Sequence, residues 1–207
     1  MSDKYKNKYR IESNRLKGWN YSNDGHYFIT IVTQNRICNL GRVENGIVIL
    51  SDFGKIVETE WYKSFEIRNE LVLENFVIMP NHLHAIIKLN NPDNNFIETH
   101  NRYVETHERF VEMHGSASLQ NNDNQKPLLF RKPKSISSFI AGFKSIINTK
   151  IDDYIDQHYL NIPKYNRNNH FFQPNYYDHI IRDYNEYLRI SEYIDNNPIN
   201  WSKDKFF

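Results

Sequence analysis

Apolar and polar residues alternate along some stretches of this chain and recur at helical spacing along others, and the two periods divide it into elements. The β-branched and aromatic run Tyr27-Phe28-Ile29-Thr30-Ile31-Val32-Thr33 predicts a central strand. Asn45-Gly46 predicts a turn into the short strand Ile47-Val48-Ile49-Leu50. Ser51 or Asp52 caps a predicted helix to about Glu66, with Ile56, Val57, Trp61 and Phe65 in its apolar stripe. A second long strand is predicted from Glu70 to Met79, a break at Pro80-Asn81, and a third strand from His82 to Leu89, the last two forming an antiparallel hairpin.

Apolar periodicity is lost from about 90 to 128, which predicts a long loop or flexible insertion at about 90–130. Order returns at Ser135, the predicted cap of a helix through about Tyr154. Ile136, Phe139, Ile140, Phe143, Ile146, Ile147 and Ile151 form its buried face. Phe171-Phe172-Gln173 predicts a short strand. A final helix begins near Asp183 or Asn185 and ends before Pro198, because the residue ahead of a proline avoids α geometry. This order of strands and helices predicts an α+β fold in a single domain over 1–207, with helices packed on an antiparallel sheet.

Composition narrows the class. The chain has 207 residues, enough for one real core, and 39% of them are hydrophobic. No apolar run approaches the roughly 20 residues that span a bilayer, and Met1-Ser2-Asp3-Lys4-Tyr5-Lys6 lacks the apolar core of a secretion signal. The lone Cys38 fits a reducing, cytoplasmic setting. A formal net charge of +1 is not the global signature of a nucleic-acid binder, but the charge is unevenly spread. Lys126, Arg131, Lys132, Lys134, Lys144 and Lys150 lie in a stretch without acidic residues. Lys4, Lys6, Lys8, Arg10, Arg15 and Lys17 cluster near the N-terminus. Such stretches are either solvated surface or local contacts to phosphate.

The chemistry starts at His82-Leu83-His84. On a strand both imidazoles project from one face with backbones about 7 Å apart, a bidentate grip for a divalent metal. Leu83, Ala85, Ile87 and Leu89 face the other way, into the core. A histidine-triad hydrolase is excluded because Ile86 follows Ala85, and a zincin because no glutamate stands between histidines at helical spacing. A two-histidine site of this kind needs a third ligand and a nucleophile from elsewhere. The final helix offers both, since Tyr193 and Asn197 are four apart and share one face. Two imidazoles with an amide oxygen suit Mg²⁺ or, better, Mn²⁺. On their own, Tyr193 also reads as a core aromatic and Asn197 as a helix C-cap.

With these residues the chain resembles the REP-associated tyrosine transposases, within the single-tyrosine HUH transposase family. Three blocks carry the resemblance: Tyr27 to Arg36, Met79 to Ile87, and Phe172 to Trp201. The third contains Asp178-His179-Ile180-Ile181-Arg182 and Tyr193-Ile194-Asp195-Asn196-Asn197-Pro198. The resemblance implies a ferredoxin-like sheet with helices on it and a C-terminal helix bearing the nucleophile. It makes His82, His84 and Asn197 the metal ligands; the last position is Gln in some relatives. It makes Tyr193 the residue that forms a 5′-phosphotyrosine intermediate. The implied activity is metal-dependent cutting and joining of single-stranded DNA near hairpins, by a monomer or homodimer, with Lys126, Arg131, Lys132, Lys134 and Lys144 as DNA contacts. His179 is either an accessory to catalysis or a structural hydrogen bonder. Tyr176 and Tyr177 are weaker nucleophile candidates, because Ile180 and Ile181 stand where Asn or Gln is needed. The alternatives are a hairpin-binding module that has lost cleavage, and a two-histidine phosphoesterase that has no need of Tyr193.

Overall fold

The computed structural model describes residues 19–91, 134–166 and 168–206. The insertion expected at about 90–130 lies almost wholly outside them, together with Lys126, Arg131, Lys132 and the N-terminal basic cluster. Six strands and three α-helices are described: β1 (Gly25–Val32), β2 (Gly41–Glu44), β3 (Ile47–Leu50), α1 (Asp52–Glu66), β4 (Leu71–Met79), β5 (His82–Leu89), α2 (Ile136–Gln157), β6 (Tyr177–Ile181) and α3 (Tyr184–Asn196). Four strands form one antiparallel sheet in the order β4-β5-β1-β6. Counting only that sheet, the chain runs βαββαβ, the ferredoxin-like arrangement. The β2–β3 hairpin and α3 are additions to it. The expected fold class is borne out.

The sheet has two unlike faces because side chains alternate along each strand. Tyr27, Ile29 and Ile31 of β1 join Leu83, Ala85, Ile87 and Leu89 of β5 on one face, against Val57 and Trp61 of α1 and Phe139, Phe143 and Ile147 of α2. Trp61 is fully buried there, its ring 4.8 Å from Phe143 and 5.4 Å from Phe139. The other face carries the histidines and a smaller cluster, in which Ile86 and Ile181 meet Ile194 of α3. One side of the sheet supplies the main core, which leaves the other to hold polar chemistry under a single helix.

Local sequence explains the elements. Ser51 accepts from Gly54 N at 3.0 Å and caps α1. Gly54 has no substitute, because a Cβ there would stand 2.0 Å from the Leu40 carbonyl oxygen. Asn45 and Gly46 both have positive φ (53° and 76°), as a tight hairpin turn requires. Ser135 and Ser138 cap α2 reciprocally. Asp183 caps α3 by accepting from Glu186 N at 2.9 Å.

Two elements depart from expectation. Phe171-Phe172-Gln173 makes only one isolated bridge, Phe172 to Thr33, and Pro174 follows with no N–H to extend a ladder. The fourth strand is instead Tyr177–Ile181, an edge strand paired with β1. A strand at Gly41–Glu44, which the sequence pattern did not announce, pairs with Ile47–Leu50.

Candidate functional site

His82 begins β5, opposite Met79 of β4 and Val32 of β1, and His84 lies opposite Val77 and Thr30. Both rings point to the α3 face, with centroids 4.5 Å apart, and both are buried. Each is oriented by a hydrogen bond at Nδ1. The Asn81 amide nitrogen donates to the carbonyls of Phe206 (2.7 Å) and Arg36 (3.2 Å), so its Oδ1 faces His82. His82 Nδ1 donates to that oxygen at 2.8 Å, which leaves the lone pair on Nε2. His84 Nδ1 lies 2.7 Å from Thr30 Oγ1, and its ring stacks on Phe28 at 5.3 Å.

α3 crosses over this pair. A register shift between Leu73 and Asn75 in β4 re-aims Asn75, whose amide donates to Ser191 Oγ (2.8 Å) and Asp195 Oδ1 (2.9 Å) and ties the helix to the sheet. The Tyr193 hydroxyl then lies 3.1 Å from His84 Nε2. Asn197, at the C-cap with α-helical φ and ψ, is buried one turn further on. The helical face therefore holds through its last turn, and the predicted tyrosine and asparagine reach the predicted histidines within one chain.

Sequence reasoning missed Asp204. After Pro198 a short 3₁₀ turn, Trp201–Lys203, brings the chain back over the site. Asp204 Oδ2 accepts from Asn197 Nδ2 at 3.1 Å and from the Tyr193 hydroxyl at 3.3 Å. His82, His84 and Asp204 can each offer one ligand atom, all within 4.8 Å of one another. Only the nearness of an acidic residue to the tyrosine helix hinted at it, and no periodicity spans Pro198. Phe206 closes the site from the side, its ring 4.8 Å from His82.

The electrostatics suit a cation. Burial pushes His82 down to about 4, with Lys205 adding to the effect and Asp204 opposing it. Burial, then His82 and Lys205, hold His84 well below the ordinary histidine range. Both imidazoles are neutral at pH 7, the form that binds metal. Burial and the Asp204 carboxylate push the Tyr193 phenol up to about 12. His82 Nε2 and Asn197 Oδ1 are buried, and neither makes a hydrogen bond of good geometry. Two such acceptors in one site are what a hard divalent ion needs, so these residues fit the expected metal.

The other expected site residues are elsewhere. His179 Nε2 donates to Glu186 Oε1 at 2.8 Å, and Glu186 also accepts from Arg182 N at 2.9 Å. His179 thus holds the start of α3. Lys144, expected to face DNA, instead donates to the carbonyls of Gln173, Pro174 and Asn175 at 2.6, 3.3 and 2.8 Å. Its helix lies across the sheet from the histidines, so the ammonium tethers a loop there. Lys134 precedes the α2 cap, and its carbonyl lies 3.5 Å from the amide of Asn91, at the far end of β5 from His82. Tyr176 is hydrogen-bonded to Ser137, and Tyr177 lies beside Lys205 and Phe206. The basic side chains that do flank Tyr193 are Arg189, Lys203 and Lys205, in an open cleft of about 420 Å³.

The fold is thus a four-stranded ferredoxin-like sheet with a paired-histidine strand under a tyrosine-bearing helix. The chain is similar to the solved structure of a REP-associated tyrosine transposase bound to a REP hairpin, at a TM-score of 0.51 and 17% identity, over 92% of this chain and 77% of that one. It is also 33% identical over 196 residues to an uncharacterised protein of Haemophilus influenzae, covering 93% of this chain and 91% of that protein, and it belongs to that protein's family. No family model matches the chain. Among the described residues no helix is long and apolar enough to cross a membrane.

Proposed function

We propose that this protein is a metal-dependent transposase-type nuclease that cuts and rejoins single-stranded DNA beside hairpins, through a phosphotyrosine on Tyr193. The observation that carries this reading is the approach of the Tyr193 hydroxyl to His84 Nε2, 3.1 Å, with Asn197 one turn away and the paired histidines beneath. A phosphoesterase working through the histidines alone has no use for a tyrosine so placed. The fold shared with a hairpin-bound transposase supports the choice of substrate.

His82, His84 and Asn197 would hold a divalent ion, Mg²⁺ or Mn²⁺, which would supply charge to polarise the scissile phosphate and offset charge in the transition state. Arg189, Lys203 and Lys205 line the cleft where the DNA backbone enters and neutralise its phosphates. Tyr184, 71% exposed, lies nearly parallel to Tyr187 on α3, which offers an aromatic surface to an unpaired base. The Tyr193 oxygen attacks phosphorus as the bond from phosphorus to the 3′ oxygen breaks. The products are a 5′-phosphotyrosine and a free 3′-hydroxyl. With His84 Nε2 committed to the ion, the phenol proton leaves to water in the open cleft that Tyr193, 41% exposed, faces, and the 3′ oxygen takes up a proton as it departs. The covalent link conserves the phosphodiester, so a second 3′-hydroxyl reverses the step and joins new ends.

The test is incubation with end-labelled, hairpin-containing single-stranded DNA and Mn²⁺. A covalent adduct that disappears in Tyr193→Phe is expected. Cleavage that survives Tyr193→Phe sinks the reading, and hairpin binding without cleavage under any metal makes the protein a binding module.

A further inference from the structure

Asp204 has a place that a tail residue reaches only when the tail is built into the site. Its peptide neighbours are anchored by groups that also order the histidines. Asn81, which sets the His82 tautomer, donates to the Phe206 carbonyl at 2.7 Å, and Arg36 donates to the Lys205 carbonyl at 3.4 Å. Phe206 is 3% exposed, and its own N–H donates to Asp204 Oδ1 at 2.6 Å. One carboxylate oxygen is thereby fixed, which aims the other, Oδ2, into the space between Tyr193, Asn197 and the histidines.

That oxygen also decides how Asn197 presents itself. A carboxylate only accepts, so the Asn197 atom facing it must be the amide nitrogen. That leaves the amide oxygen buried, and neither it nor His82 Nε2 makes a hydrogen bond of good geometry. Two neutral imidazoles and one amide oxygen bring no negative charge to a dication. A carboxylate on the same atoms supplies one, and ligand charge is a main determinant of affinity for hard divalent ions.

We propose that Asp204 is a direct metal ligand through Oδ2, joining His82, His84 and Asn197 and making the chain after Pro198 part of the metal centre. The inference rests on the nuclease reading for its choice of metal and deepens it by naming a ligand outside the tyrosine helix. In binding, Oδ2 exchanges its hydrogen bond from Tyr193 for the ion, which releases the phenol toward the phosphate.

The experiment titrates Mn²⁺ into the full-length protein and follows free ion by electron paramagnetic resonance, without DNA. Spin-echo modulation from imidazole nitrogen locates the bound ion. Asp204→Asn keeps the shape and removes the charge. It is expected to weaken Mn²⁺ binding about tenfold or more, while histidine modulation persists at saturation and the melting temperature stays near wild type. Tyr193→Phe, which deletes the phenol's competing contact to the same carboxylate, is expected to bind Mn²⁺ at least as tightly as wild type. Unchanged affinity in Asp204→Asn overturns the proposal, as does equal weakening in Tyr193→Phe. If Asp204→Asn melts early, Asp204→Glu decides: it restores the charge, and affinity that stays at the Asn level overturns the inference. Wild-type protein that takes up no Mn²⁺ overturns it together with the nuclease reading. Mn²⁺ binding that depends on Asp204 in a protein forming no DNA adduct sinks the nuclease alone.

Discussion

Asn81 is the residue that orients His82. Its amide bridges the chain at Arg36 and Phe206 while its oxygen holds His82 Nδ1. Asn81→Ala leaves that ring free to rotate and to change tautomer. Mn²⁺ affinity is expected to fall about 10- to 100-fold, the usual consequence of losing such a partner, and ion titration of the variant checks it. The histidines also make stability depend on pH in the metal-free protein. A histidine whose folded pKa is depressed binds fewer protons folded than unfolded, so its contribution is complete above the unfolded value near 6.5. It is lost as pH falls from there through the folded value of about 4. Thermal melts in chelator at pH 7 and pH 4.5 are expected to differ by on the order of 2–3 kcal/mol from His82, and His82→Gln is expected to remove that share and leave the part due to His84.

At the scale of elements, α3 is positioned at both ends, and His179 takes part in that positioning. Glu186 gathers the Arg182 N–H, the His179 imidazole and, more loosely, Arg189, while Asp183 caps the same turn. The hydrogen bond from the Arg182 backbone, followed by that from His179, holds the Glu186 carboxyl below the usual range. His179→Ala is expected to cost about 1 kcal/mol of stability and to leave adduct formation within a few-fold of wild type at a temperature where the variant is folded. Loss of all adduct in a folded His179→Ala makes it a participant in the reaction. The parts of this arrangement that were legible in sequence are those with a strong local period. His82 and His84 alternate with core residues, and Tyr193 and Asn197 stand one turn apart. β6 was not legible because it is a five-residue edge strand of mixed character, whereas Phe171-Phe172 looks like a strand through apolarity it uses in the core. The surroundings of Lys144 were not legible either, since a charge pattern cannot reveal three carbonyls brought near it by a loop thirty residues on. Asp204 depends on a turn after a proline and on contacts more than a hundred residues apart in sequence, which no window captures.

At the scale of the whole molecule, the sheet separates stability from chemistry, and the single chain completes the site. The main core lies on the α1–α2 face, so Leu83→Ala is expected to cost about 2–5 kcal/mol although it stands between the two histidines. The tyrosine helix lies on its own chain's sheet, held by Asn75 and by the Ile86–Ile181–Ile194 cluster. A nuclease that exchanged this helix between two subunits would build each site from one chain's histidines and another chain's tyrosine. Two inactive variants would then rescue each other, because a mixed dimer holds one intact site. Here His84→Ala and Tyr193→Phe, each unable to form the adduct, are expected to stay inactive when co-expressed and purified together. Adduct formation by the mixture, on the polypeptide that retains Tyr193, would show that the helix docks in trans and that the active unit is a dimer.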